Sequence, residues 1–125
     1  MTRRPGRPPQ ENILAVGVEP RQIDDPGDAG TISTNQPGYV LLVTAAAETR
    51  TLGDPAYVGQ IMDLFFYTDT GNCVVTASSP LNQTGNNTIT FTDVGEHTRI
   101  IGHYNPTDGW EWRQVCNDGA ALTTV

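Results

Sequence analysis

The 125-residue chain contains no lysine: its seven positive charges are all arginines, set against fourteen acids for a formal net charge of −7. Three of them, Arg3, Arg4 and Arg7, stand in the first ten residues, where there is no acid, and removing that +3 leaves −10 on the rest. A body this acidic repels a phosphate backbone, which argues against nucleic-acid binding by the folded part. Long apolar runs are also missing. Nothing approaches the ~18 consecutive apolar residues of a membrane span, and no apolar block follows the first arginines as a signal peptide would need. The expectation is a soluble chain, with no membrane partner, that no recognisable route exports.

Cysteine is scarce. Cys73 and Cys116 are too far apart for a CxxC metal site and too few for a disulfide framework. Two buried thiols are expected in a reducing cytoplasm, with a disulfide the alternative that spacing leaves open. The motifs of common enzyme classes are absent as well: there is no nucleophile elbow, Gly-rich phosphate loop or HExxH. Asp24, Asp25 and Asp28 are oxygen donors in a loop, but without EF-hand spacing or its terminal bidentate Glu they read as a solvated acidic loop. His97 and His103 are six apart on a predicted strand, hence on one face but ~20 Å apart at ~3.3 Å per residue, too far to hold one ion together. No metal, cofactor or catalytic residue is expected, and the chain is read as a non-enzyme.

What the chain does contain is glycine, proline, asparagine and threonine around a modest apolar share of 37%. Its length allows one domain, with a modest, turn-rich core that needs neither disulfides nor metals. Residues 1–11 read as an extended basic arm with polyproline character, and residues 12–125 as a single β domain with a long loop at 19–38. Residues 12–18 (NILAVGV) have strand length, and a short strand is expected near residues 31–34. Then come regular β signals: residues 39–44 (YVLLVT), apolar throughout and suited to burial on both faces, and residues 60–67, with Met62, Leu64 and Phe66 opposite Asp63. Residues 73–78 follow, then 88–92, where Ile89 and Phe91 alternate with Thr88, Thr90 and Thr92, then 97–104 and 110–116, with 122–125 closing an edge. Turn chemistry such as Asp69-Thr70-Gly71-Asn72 and Asn105-Pro106-Thr107-Asp108-Gly109 separates them. Residues 44–52 (TAAAETRTL) form the one helix-like window and are too short to be a helix. Seven to eight short strands at this spacing point to an all-β fold, a jelly-roll-like sandwich or small barrel, without an internal repeat of fixed period.

Trp110 and Trp112, two apart on a strand, point to one face; core or interface packing competes with a stacking platform for sugars or bases. From residue 48 to residue 123, the order ETRTLGDPAYVGQ, CVVTA, NQTGNNTITFTDVGEH, GWEWRQVCNDGAAL resembles a type of small virion protein, the head decoration or cement proteins of tailed bacteriophages. The resemblance implies homotrimers seated on three-fold positions of the shell, the major capsid protein as partner, and a place on the capsid surface after assembly in the host cytoplasm. It brings no catalytic residues. On this reading Arg3, Arg4, Arg7, Trp110 and Trp112 are the candidate contacts to capsid or neighbouring subunit. Two other functions remain open: an adhesin or fibre-tip domain that presents the tryptophans to a host glycan or receptor, and a small hydrolase using Cys73 or Cys116.

Overall fold

A computed structural model describes residues 21–68, 70–82 and 85–123. They form ten strands and, among the described residues, no helix: β1 (Arg21–Ile23), β2 (Gly30–Ile32), β3 (Gly38–Val43), β4 (Glu48–Leu52), β5 (Ile61–Thr68), β6 (Cys73–Ala77), β7 (Thr88–Phe91), β8 (His97–Asn105), β9 (Gly109–Asp118) and β10 (Ala121–Thr123). Two five-stranded sheets face each other. Sheet I has the order β1-β3-β5-β8-β9 and sheet II the order β10-β7-β6-β4-β2, without closure into a barrel. The all-β sandwich expected from the sequence is present.

Connectivity is where the strand-by-strand reading fell short. The chain alternates between sheets from β1 to β6, laying β1, β3 and β5 parallel in sheet I and β2, β4 and β6 parallel in sheet II. This is a winding, unlike the antiparallel runs of a jelly roll. The antiparallel β7, β8, β9 and β10 then extend the two sheets beyond β6 and β5. Parallel pairing needs crossovers. Here each crossover is a turn to the opposite sheet, so no helix is required.

Alternation sets the core. Met62, Leu64 and Phe66 of β5 point inward, meeting Val75 of β6 and Ile89 and Phe91 of β7 in one buried cluster that also holds Val40, Leu42, Leu52 and Trp112. Phe66 and Phe91 lie 6.0 Å apart between ring centroids. Where β1 meets β3 the backbones nearly touch: a Cβ on Gly38 would stand 1.9 Å from the Arg21 carbonyl oxygen, so only glycine fits.

Several expectations need correction. The 19–38 loop contains β1 and β2. β3 is not buried on both faces, since Tyr39 and Val43 are exposed. Thr88, expected on the outer face, is buried because its hydroxyl donates to the Thr123 carbonyl of β10 at 3.1 Å. Residues 48–52 form a central strand despite their helix-like composition. What holds them there is Arg50. Residues 12–18, expected as a strand, and the arm of residues 1–11 lie outside the described residues.

The Arg50 side chain is wholly buried between the sheets. Its Nε and Nη2 donate to the two Asp25 oxygens at 2.6 and 3.0 Å. Nη2 also donates to the Val43 carbonyl at 3.0 Å, and Nη1 lies 3.0 Å from both the Thr49 carbonyl and Glu48 Oε1. Asp25 in turn accepts the Val43 N–H at 2.9 Å, and Asp28 accepts the Thr49 N–H at 3.0 Å. Thus the β1–β2 loop, the end of β3 and β4 meet at one guanidinium with its donors satisfied. Removing one partner of such a pair strands the other without compensation. Arg50→Ala should therefore lower unfolding free energy by about 3–5 kcal/mol, read as a fall in urea midpoint, and Arg50→Lys should recover only part because it lacks the bidentate fork.

A candidate protein-docking face on sheet I

The outer face of sheet I is built by the residues that alternate away from the core. In register across β3, β5 and β8 they form two rows, Tyr39–Asp63–Arg99 and Leu41–Phe65–His97. The Phe65 ring stacks on the His97 imidazole at 4.4 Å and 16°, and Tyr39 meets Phe65 edge-on at 6.2 Å. Asp63 closes the ionic side: Oδ1 lies 2.8 Å from His97 Nε2 and 2.9 Å from Arg99 Nε, while Oδ2 accepts from Arg99 Nη2 at 3.0 Å. These partners immobilise the polar groups, so the face offers apolar surface with little free charge.

Beside the rows runs a groove of about 420 Å³ lined by Tyr39, Leu41, Phe65, Tyr67, Val94 and Gly95. Its far wall is the β7–β8 turn, which is clamped to β5 by Gly95 N–H to Phe66 O at 2.8 Å and Phe66 N–H to Glu96 O at 2.9 Å. Tyr67 is 63% exposed and Val94 62%. Contiguous apolar surface of this kind on a rigid sheet marks interaction sites more often than scattered exposed side chains do. Sequence reasoning placed Asp63 on this face and stopped there, because an uninterrupted apolar strand reads as buried on both sides.

The residues singled out in the sequence fall elsewhere. Arg3, Arg4 and Arg7 are outside the described residues. Trp112 is 1% exposed and its indole N–H donates to the Gly53 carbonyl at 2.8 Å, so it is a core residue with no surface left for a partner. Trp110, on the same side of β9, lies half-buried near the tip of the β8–β9 hairpin, edge-on to the exposed Tyr104 at 5.2 Å. The structure therefore separates the two tryptophans by burial. Glu111 between them is fully buried; its Oε1 accepts from Arg113 at 3.3 Å, and Oε2 has no hydrogen-bond partner among the described residues. Among the described residues no group of three or more His, Cys, Asp or Glu converges on a metal position.

Both cysteines are free, and only one is buried. Burial pushes the Cys73 thiol up to about 11, although the nearby Arg50 charge opposes the shift. That suppresses the thiolate a nucleophile needs. Cys116, expected inside, is exposed because the ladder between β8 and β9 slips: Arg99 pairs with Cys116 and Ile100 with Gln114, leaving Val115 as the extra residue. One inserted residue turns Cys116 from the Trp112 side to the outer face.

No protein-family model matches this chain, and no curated protein matches it.

Two outcomes follow from these environments. In native protein one thiol, Cys116, should react promptly with Ellman's reagent and the other only on unfolding; Cys116→Ser should abolish the fast phase, and two fast thiols would contradict the burial of Cys73. Acid should weaken the fold. Burial by itself would raise the Asp25 and Asp63 carboxyls, but the Arg50 bonds to Asp25 and the Arg99 and His97 bonds to Asp63 outweigh it and hold both below the ordinary value of 3.8. A carboxyl depressed in the folded state stabilises above its unfolded pKa and loses that contribution as pH falls through the folded one. The urea midpoint should drop as pH is lowered below about 4, less steeply in Asp63→Asn.

Proposed function

We propose that this chain is a structural protein of a tailed-phage particle, a decoration or cement protein that binds the outer surface of the head and stabilises the shell. The observation that carries the reading is the apolar face of sheet I, with the exposed Tyr67 and Val94 flanking a groove and Tyr39 at its edge. The composition of the rest fits. An acidic, lysine-free body stays soluble and avoids nucleic acid, so the sheet I face is the adhesive surface.

Mechanism then reduces to linkage. A protein that binds the assembled, expanded shell and not the precursor favours the shell by its differential affinity for the two, with no chemical step. Homotrimerisation places three such faces around a three-fold position, and joint engagement raises the avidity beyond that of one face. The major capsid protein is the partner on this reading. The edge-on pair of Tyr104 and Trp110 at the β8–β9 tip supports a second reading, an adhesin that stacks host sugars; glycan-array binding lost in Trp110→Ala and absent from heads would favour it.

The test is co-sedimentation of the full-length protein with expanded and unexpanded heads. Preferential binding to expanded heads is expected, and Tyr67→Asp should weaken it at least tenfold, about 1.4 kcal/mol, by placing a charge in the groove. Equal binding of Tyr67→Asp and the unaltered protein would move the docking surface away from sheet I. Failure to bind heads at all would end the decoration reading.

A further inference from the structure

Among the described residues, the unpaired charge around the apolar groove of sheet I has one sign. The cations of this face are already engaged. Arg99 and His97 both lie on Asp63, and Arg113 Nη1 lies 3.3 Å from Glu111 Oε1. Two acids have no such partner. Asp93 opens the β7–β8 turn immediately before Val94, its carbonyl accepting the Glu96 N–H at 3.2 Å. Asp118 stands opposite His97 in the β8–β9 ladder, so the row Leu41–Phe65–His97 that borders the groove continues to its carboxylate. Both are exposed, and among the described residues neither carboxylate has a hydrogen bond or ion pair. Glu96, the third acid nearby, is used on the turn itself, where it accepts from the Thr92 N–H at 2.7 Å and from the Thr92 hydroxyl at 3.2 Å.

We propose that this groove recognises an arginine side chain on the surface of a partner protein. Charge decides the class of occupant. An uncharged apolar partner would desolvate the two rim carboxylates without compensation, and an anionic one would be repelled by them. A second copy of the chain brings the same net charge of −7 and is disfavoured on that ground. Shape decides the side chain. The groove, about 420 Å³, is aromatic and aliphatic along Tyr39, Leu41, Phe65, Tyr67 and Val94, with no cation of its own. Arginine matches such a surface because it joins an apolar stem to a planar cation that stacks on aromatic rings and forks onto carboxylates. Tyr67, 63% exposed, is the ring most open to that stacking. Exchanging Tyr67 for an acid therefore still weakens the contact, since an exposed ion pair contributes less than an aromatic anchor. The inference deepens the decoration reading: it rests on sheet I being the docking face and adds the chemistry of what docks there.

The test uses the full-length chain in two arms. In the first, N-acetylarginine amide is titrated against it by NMR, with N-acetylnorleucine amide as the uncharged control. Saturable shifts of the Tyr67 ring and Val94 methyl signals, in the millimolar range, are expected from the arginine probe alone. The double substitution Asp93→Asn with Asp118→Asn, at two exposed positions, should weaken that response at least threefold. Equal responses to the two probes, no response, or one indifferent to the double substitution would each overturn the proposal. In the second arm expanded heads replace the probe. The double variant should bind them about five- to tenfold more weakly at low salt, as two rim ion pairs allow, and the difference should shrink as salt rises. Heads that bind both proteins equally would overturn the arginine occupant and leave the decoration reading standing. A probe response intact in a protein that binds no heads would support the chemistry of the groove and end the decoration reading. An oligomeric mass that falls in the double variant would assign the groove to a second copy and overturn the proposal.

Discussion

A guanidinium buried between two sheets cannot lose its proton and cannot reach water, so Arg50 obliges its surroundings to supply acceptors. They come from three places in the chain. Asp25 arrives from the β1–β2 loop, Glu48 from the start of β4 itself, and the Val43 carbonyl from the end of β3. The first two coils of the winding are thereby pinned to one another, and the β1–β2 loop, which has little apolar content of its own, acquires a fixed shape. Such a pair is a demand for order more than a source of net stability, because desolvation offsets much of the Coulombic gain. Its consequence is positional: with Arg50 anchored, Leu52 enters the core column between Ile32 and Ala77.

From that anchor the two faces of sheet I acquire different roles. Inward residues of β3, β5 and β8 complete the sandwich, and the outward ones form the Tyr39–Phe65–His97 series and its groove. Asp63 is the outer counterpart of Asp25, a carboxylate held by an arginine and a histidine, which ties β5 to β8 and leaves the neighbouring aromatic surface without free charge. The proposed binding role draws on this rigidity, because a preorganised face loses little entropy when a partner covers it.

Order along the winding also relates the two ends of the molecule. The antiparallel strands β7 to β10 finish the sheets beyond β6 and β5, while the β1 and β2 end is where the chain enters.

How much of this was legible in the sequence depends on the range of the physics involved. Side-chain alternation is local, so Met62, Leu64, Phe66, Ile89 and Phe91 were readable as core residues, most strands were found within a few positions, and turn residues marked their ends. Net charge and the missing motifs were equally local facts. Whether adjacent strands run parallel, and whether a helix-like TAAAETRTL becomes a central strand, depend on partners distant in the chain, such as Gly38 for Arg21 and Cys73 for Glu48. Arg50 is a strand residue because Asp25 is there; Cys116 faces out because β9 carries one residue more than β8 across from it; Trp112 is buried with its indole N–H on the Gly53 carbonyl, while Trp110, on the same side, stays half-buried against Tyr104 near the tip. Pattern along the chain determined which residues turn inward together, and tertiary pairing alone decided which surfaces remained for a partner, since burial is a property of what lies opposite.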